Sequence, residues 1–158
     1  ILDPGTPVRA EGVVSAVDTN GSFWIQSGDC GPLTGIYVLN TQGADMLEAG
    51  QTVVVDGTFE FEAGRAQIVL DEAYITNTPL RDMPPHWVDM GAFGTPSAEL
   101  FVGMVVGIEK AHVTSIDGAN PVLNDTLVLS NRLGVVPFEI EEGGIVFAAV
   151  GVLQKYDI

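Results

Sequence analysis

The chain has 158 residues, of which 46% are hydrophobic and 17% charged, a composition that supports a hydrophobic core and excludes an intrinsically disordered chain. Its 6 basic and 21 acidic residues give a formal net charge of -15, which makes nucleic acid and anionic membranes unfavourable partners. The single cysteine, Cys30, excludes an intrachain disulfide, and the longest uncharged run near the C-terminus, residues 143–153, is too short to span a bilayer.

The residue types favour β-structure. The 19 glycines and 9 prolines, together with many Val, Thr and Ile residues, predict short strands joined by tight turns. A lysine-poor, acidic β-chain of this kind is commoner outside the cell, and we therefore expect an extracellular or cell-surface location.

The first half, residues 1–78, predicts five strands and one short helix. Asn20-Gly21 marks a hairpin between the first two strands, and Thr41–Ala49 has the spacing of a short helix that ends before Gly50. A helix between the third and fourth of five strands is the arrangement of an OB-fold, a small Greek-key barrel. The predicted strands are Val8–Val17, Ser22–Ser27, Gly35–Leu39, Gln51–Glu62 and Ala66–Ile75.

Residues 79–97 predict a linker, because their four prolines resist both helix and central strand. Trp87 and Phe93 lie within it, so we expect it to pack onto a barrel. The remaining residues, 98–158, predict a second OB-like barrel with four strands, at Glu99–Ser115, Thr126–Ser130, Gly134–Ile140 and Ile145–Tyr156, with a long turn after the first at Asp117-Gly118.

Glycine spacing relates the two halves. Gly50 and Gly57 are seven positions apart, as are Gly144 and Gly151. Gly12 precedes the first pair by about 38 residues and Gly103 the second by about 41, which is typical of a repeat. The sequence thus predicts an all-β fold of two tandem OB-like small β-barrels.

The second barrel has no counterpart of the strand Ala66–Ile75. An unfinished barrel exposes the backbone of its edge strand, and we expect that edge along the last predicted strand. The extended segment Ile1–Pro7 is a candidate donor of the missing strand, in its own molecule or in the next one. The candidate assembly-edge residues are Ile145, Phe147, Ala149, Leu153 and Tyr156.

Residues 8–75 resemble a known family in Gly12-Val13-Val14, Phe23-Trp24-Ile25-Gln26, Gly35-Ile36-Tyr37-Val38 and the Gly50–Gly57 segment. The resemblance is to the OB-fold domains attached to secreted bacterial nucleases and other multi-domain surface proteins, and Phe23–Gln26 is its most specific part. It implies an accessory module without catalytic residues of its own. The chain departs from that family at Gln51, where Asp is usual, and the second half has Leu127-Val128-Leu129-Ser130 in place of the Phe-Trp-Ile-Gln segment.

Aromatic residues give the binding candidates. Alternation in Phe23–Gln26 puts Trp24 and Gln26 on one face, and Tyr37 on the third strand is close to Trp24 if it shares that face. Strands two and three form the face on which OB-folds bind oligonucleotides and oligosaccharides. The alternative interpretation is that Trp24 packs beneath the linker.

The other polar motifs give weaker evidence for a functional site. Gly28-Asp29-Cys30-Gly31 resembles a cysteine-protease nucleophile loop, but both His86 and His112 follow it, whereas that chemistry needs an upstream histidine and a preceding barrel. Asp117–Asp125 lacks the EF-hand spacing for calcium. We interpret these motifs as turns, and Glu139, Glu141 and Glu142 as a solvated turn. No catalytic residue, metal or cofactor is predicted.

Three hypotheses follow. The first is a non-catalytic extracellular structural or interaction module, which binds itself or neighbouring domains of a longer chain and forms a homo-oligomer or filament by strand addition. The second is a carbohydrate- or nucleic-acid-binding accessory domain of a secreted enzyme. The third, a free-standing enzyme, has no set of catalytic residues to support it.

Overall fold

The computed structural model describes residues 2–28, 31–43, 47–76, 79–130 and 140–154. Within these ranges the chain forms ten β-strands and two short 3₁₀ helices, so the predicted all-β class is confirmed. No helix of the described part is long and apolar enough to cross a membrane.

The first five strands close into a small barrel in the order β1-β2-β3-β5-β4. All neighbouring pairs in it are antiparallel except β3 and β5, which are parallel. The strands begin and end within two residues of the predicted bounds, and the predicted OB-like barrel is confirmed. They are β1 (Thr6–Val17), β2 (Phe23–Gln26), β3 (Gly35–Leu39), β4 (Thr52–Glu62) and β5 (Arg65–Ile75).

Alternate residues of these strands fill the barrel. Burying each aliphatic or aromatic side chain contributes roughly 1.5–3 kcal/mol. The buried core of this half consists of Val14, Phe23, Ile25, Val38, Val53, Val55 and Ile68. Because Phe23 and Ile25 point into the barrel, the intervening Trp24 and the following Gln26 lie on its outer face.

The predicted linker packs against both halves. The Arg81 N–H donates to the Gly50 carbonyl (2.8 Å). Strand β6 (His86–Trp87) pairs in parallel with the second half, and Val88 and Phe93 join the second core. The two 3₁₀ helices, Met90–Ala92 and Pro96–Phe101, follow.

The described residues of the second half form a curled sheet that does not close among them, in the order β10-β7-β8-β9, with β6 beside β7. Its strands are β7 (Val105–Asp117), β8 (Asn120–Leu123), β9 (Leu127–Val128) and β10 (Ile145–Val152). They enclose a separate core of buried residues, which includes Val88, Phe93, Met104, Val106, Ile108, Ala111, Val113, Leu123 and Leu153. In the described residues β9 and β10 end the main strand order, and β6, which pairs only with β7, is a further outer strand.

Three predicted elements differ from the structure. Glu99–Phe101 ends a 3₁₀ helix rather than starting a strand, because Thr95 caps that helix and Pro96 fixes its first turn. The predicted long turn contains strand β8, which pairs with β7 from Asp117 to Val113. Residues 41–43 and 47–49, at either end of the predicted helix, are not helical.

Other predictions fall partly outside the described residues. These are the middle of that helix (residues 44–46), most of the strand Gly134–Ile140, and the end of the last strand, including Tyr156. Cys30 and Glu139 also lie outside the described residues.

Candidate functional site

The predicted binding residues lie together on the outer face of β2 and β3. Trp24 is directly opposite Tyr37 in the antiparallel pairing, and their ring centroids are 4.8 Å apart. Gln26 is on the same face, two residues along β2 from Trp24. The alternation in the sequence therefore gives the correct face for this group.

All three side chains are buried: Trp24 and Gln26 are each 1% exposed and Tyr37 is 2% exposed. The Gln26 Oε1 accepts a hydrogen bond from the Val105 N–H at 3.1 Å, and the Arg65 guanidinium lies 4.2 Å from the centroid of the Tyr37 ring. A ligand has no access to this face in the arrangement described, because stacking requires an exposed ring.

The cover over Gln26 comes from the second half of the chain. The Leu33 N–H donates to the Leu100 carbonyl at 2.7 Å, and a Cβ atom added at Gly35 would overlap the Gly103 carbonyl group. The start of β3 is thus in backbone contact with the segment that leads into β7. The expected open OB-fold face is therefore, at this end, an interface between the two halves.

A polar chain continues from this face, which the sequence analysis missed. The Arg65 Nη2 donates to Gln67 Oε1 at 3.0 Å, and Gln67 Nε2 donates to Glu62 Oε2 at 3.1 Å. Gln67 is opposite Tyr37 in the parallel pair and is buried. The sequence feature that could have predicted this polar chain is the period-two alternation of Arg65 and Gln67 at the start of β5.

The candidate assembly edge lies on β10. This strand pairs with β7 from Ile145 to Val152, and no other described strand pairs with it. One of its two backbone edges is therefore unpaired among the described residues. An unpaired edge presents N–H and C=O groups to any strand that can approach it.

The β10 edge carries exposed apolar side chains. Phe147 is 77% exposed, Val150 57% and Ile145 49%. Ala149 is half-buried, and Leu153, which follows the strand, is buried in the second core. Edge strands of stable monomers are commonly protected by charged residues or proline, yet residues 143–154 contain neither.

Part of the candidate donor segment is already paired with the first barrel. The Gly5 N–H donates to the Phe59 carbonyl at 2.8 Å, and Thr6 and Pro7 pair with β4 as the beginning of β1. Asp3 and Thr6 form a turn, in which the Thr6 N–H donates to the Asp3 carbonyl at 3.2 Å. The last three residues of the candidate donor, Gly5, Thr6 and Pro7, are therefore bound by the first barrel and are not a free extended arm in this arrangement.

Among the described residues, the remaining polar candidates do not come together. The His86 ring stacks on Phe101 at 4.9 Å, and the backbone of His112 bonds with Asn124. The described residues contain no group of three His, Cys, Asp or Glu side chains placed to hold a metal ion. A hydrogen bond to Glu72 raises the pKa of Tyr74 above its usual value, but Tyr74 is on the exposed surface.

A shallow cleft of about 540 Å³ lies beside β6 and β7. Trp87 is half-exposed at its rim, and its indole lies against Gly107, where any Cβ atom would be 2.6 Å from the ring. The cleft is also lined by Val88, Asp89, Met90, Glu109 and Lys110. The sequence pattern around Trp87 does not distinguish an exposed aromatic residue from a core one.

Comparison of the chain with protein-family models, with curated proteins and with solved structures gives no match.

Proposed function

We propose that the chain is a non-catalytic structural module that acts outside the cell and associates with other copies by strand addition at β10, with a filament as the extended product. The observation that carries this proposal is the edge of β10, which is unpaired among the described residues. Strand addition supplies the missing backbone hydrogen bonds and covers apolar side chains at the same time.

The exposed side chains of β10 support the same proposal. Phe147 and Val150 are exposed, so a strand added beside them would remove part of their apolar surface from water. The edge has no charged residue that an added strand would have to desolvate. If a different segment of one copy adds to β10 of the next, the contact is head-to-tail and repeats without closing, which gives a fibre.

The extracellular location rests on composition alone. The acidic balance, with two lysines in the whole chain, and the small strand-rich architecture are typical of secreted modules. Secretion would also separate the β10 edge from the crowded cytosol, where an unprotected edge is an aggregation hazard.

A charge on the edge tests the proposal. Phe147→Lys should reduce assembly of the purified protein at least tenfold, measured by light scattering and negative-stain electron microscopy, because a lysine on an edge strand opposes pairing. Phe61→Lys is the matched control, since Phe61 is an exposed strand phenylalanine of the first barrel. Equal assembly of the two variants and the wild type would contradict the proposal.

A carbohydrate-binding role is the second candidate, and the Trp87 cleft favours it over the buried Trp24 face. An exposed indole beside Asp89 and Glu109 combines an apolar platform with polar groups at its rim. Trp87→Ala should then weaken binding to at least one member of a polysaccharide panel, whereas Trp24→Phe should not. Failure of the wild-type protein to bind any member would exclude this candidate.

A further inference from the structure

The two sheets can be compared strand by strand. In the first barrel β5 lies between β3 and β4, and the order is β1-β2-β3-β5-β4. In the second sheet β7, β8 and β9 occupy the places of β1, β2 and β3, and β10 pairs with β7 as β4 pairs with β1. The place of β5, between β9 and β10, has no described strand.

Matching hydrogen bonds set the alignment of β10 with β4. Val14 donates to the Gln51 carbonyl and accepts from the Gly50 N–H, both at 2.8 Å. Val113 donates to the Gly144 carbonyl at 2.9 Å and accepts from the Gly143 N–H at 2.8 Å. Both valines are buried core residues, so Gln51 and Gly144 are equivalent starting points.

From these points each strand reaches a glycine opposite an inward-facing valine, which is partly buried at Val8 and buried at Val106. Gly57 is opposite Val8, and Gly151 is opposite Val106. The stretch from Gly144 to Gly151 is one residue longer than the stretch from Gln51 to Gly57. The reason is that the alternation of inward and outward side chains in β7 is interrupted at Glu109-Lys110, where both side chains are exposed and Lys110 has a φ of 54°. Counted by inward-facing positions, Gly151 is therefore the equivalent of Gly57.

The surroundings of these two glycines differ. A Cβ atom at Gly57 would overlap the Val69 carbonyl oxygen and lie 2.7 Å from Ile68 Cγ2, because β5 crosses β4 closely at this point. A Cβ atom at Gly151 would have no neighbour within 4 Å among the residues that the structure describes. The space that β5 fills in the first barrel is thus open in the described part of the second.

We infer that a β5-like strand, supplied by another polypeptide segment, docks on β10 at Gly151. By analogy with β5, it runs antiparallel to β10 and parallel to β9. This inference rests on the proposed function, and it specifies the partner of the same edge.

The first barrel also gives the chemistry of the added strand. Leu70 is opposite Gly57, and Ile68, two residues earlier, is buried in the core. The added strand therefore places an aliphatic residue opposite Gly151 and a branched one two residues before it. The flanking strands suit an uncharged inner face, because neither β9 nor β10 carries a charged residue.

A synthetic peptide of residues 63–75, which contains β5, is the direct probe. We expect saturable binding to the wild-type protein in fluorescence anisotropy, and at least tenfold weaker binding to Gly151→Val. The variant should keep the circular dichroism and melting temperature of the wild type, because no described residue lies within 4 Å of the added Cβ atom. Ala148→Val is the matched control, since Ala148 is an exposed β10 residue opposite the exposed Glu109.

A peptide with Ile68→Asp should not bind, because the charge would enter the core. Equal binding to the wild type and to Gly151→Val, or no binding to the wild type, would overturn the inference.

Peptide binding that depends on Gly151, in a preparation that shows no assembly, would support the inference and contradict the proposed function alone. Conversely, assembly that Phe147→Lys abolishes and Gly151→Val leaves intact would support the proposed function and overturn the inference.

Discussion

The amide of Gln26 shows how one side chain joins the two halves of the chain. It is on the outer face of β2, where OB-folds generally contact ligands, and its oxygen accepts from the Val105 N–H of the second half. In a free barrel this amide would be available for a ligand. Here the Val105 N–H of the second half satisfies the oxygen, while the Gln26 Nε2 is buried without a hydrogen-bond partner among the described residues. The contact therefore joins the two halves through the amide oxygen alone.

Removal of that acceptor tests the interface. Gln26→Leu leaves the buried Val105 N–H without its partner, which should lower the free energy of unfolding by about 1–3 kcal/mol. Urea denaturation followed by circular dichroism gives the value. Gln42→Leu, at an exposed position, should change it by less than about 0.5 kcal/mol. A neutral Gln26→Leu would mean that the hydrogen bond from Val105 stabilises the fold no more than burial of the unpaired Gln26 Nε2 destabilises it.

Trp24 gives a second test at this scale, because its fluorescence reports whether solvent reaches the predicted binding face. The chain has two tryptophans, so Trp87→Phe leaves Trp24 as the sole indole reporter. Because Trp24 is buried, its emission should be blue-shifted and resist acrylamide quenching. Trp24→Phe, which retains the half-exposed Trp87, should be quenched readily. Ready quenching of Trp24 would show that the face opens in solution and is accessible to ligands.

At the scale of elements, the strands of the first barrel follow from local rules. The alternation of β2, the Asn20-Gly21 turn and the glycine before β4 act within a few residues of one another. The same rules failed at Asn120–Leu123, where Asn, Pro and neighbouring Asp residues have turn propensity. Pairing with β7 overrides that preference.

The candidate site was predictable in part for a similar reason. The unpaired β10 edge follows from counting strands, which needs no knowledge of packing. The burial of Trp24 and Tyr37 depends on contacts between residues that are far apart in sequence, such as Gln26 and Val105. No periodicity within β2 contains that information.

The backbone contact between β3 and the segment before β7 gives the prediction for this scale. Gly35→Ala should lower stability by about 1–3 kcal/mol, because its Cβ atom would overlap the Gly103 carbonyl group and push the halves apart. Differential scanning calorimetry and limited proteolysis of the 79–104 segment measure the effect.

Gly31→Ala is the control, since its Cβ atom would have only an ordinary contact of 3.9 Å with Thr34 Cγ2. If Gly35→Ala melted like Gly31→Ala and the wild type, the close packing of the halves would be wrong.

At the scale of the whole molecule, the net charge and the β10 edge have opposite effects on association between copies. The formal charge of -15 makes copies repel one another at long range. The β10 edge, free of charged residues, attracts only at contact. Their balance determines whether copies meet, and it depends on ionic strength, because salt screens the repulsion while leaving backbone pairing largely unchanged.

Assembly should therefore increase with salt. The Debye length falls from about 30 Å at 0.01 M to about 8 Å at 0.15 M, so the protein concentration needed for assembly should drop severalfold across that range of NaCl, measured by light scattering. Phe147→Lys should stay dispersed at every salt concentration, because screening does not restore an edge strand that carries a lysine. If assembly instead weakened as salt rose, attraction between opposite charges would drive it, and strand addition at an uncharged edge would not explain it.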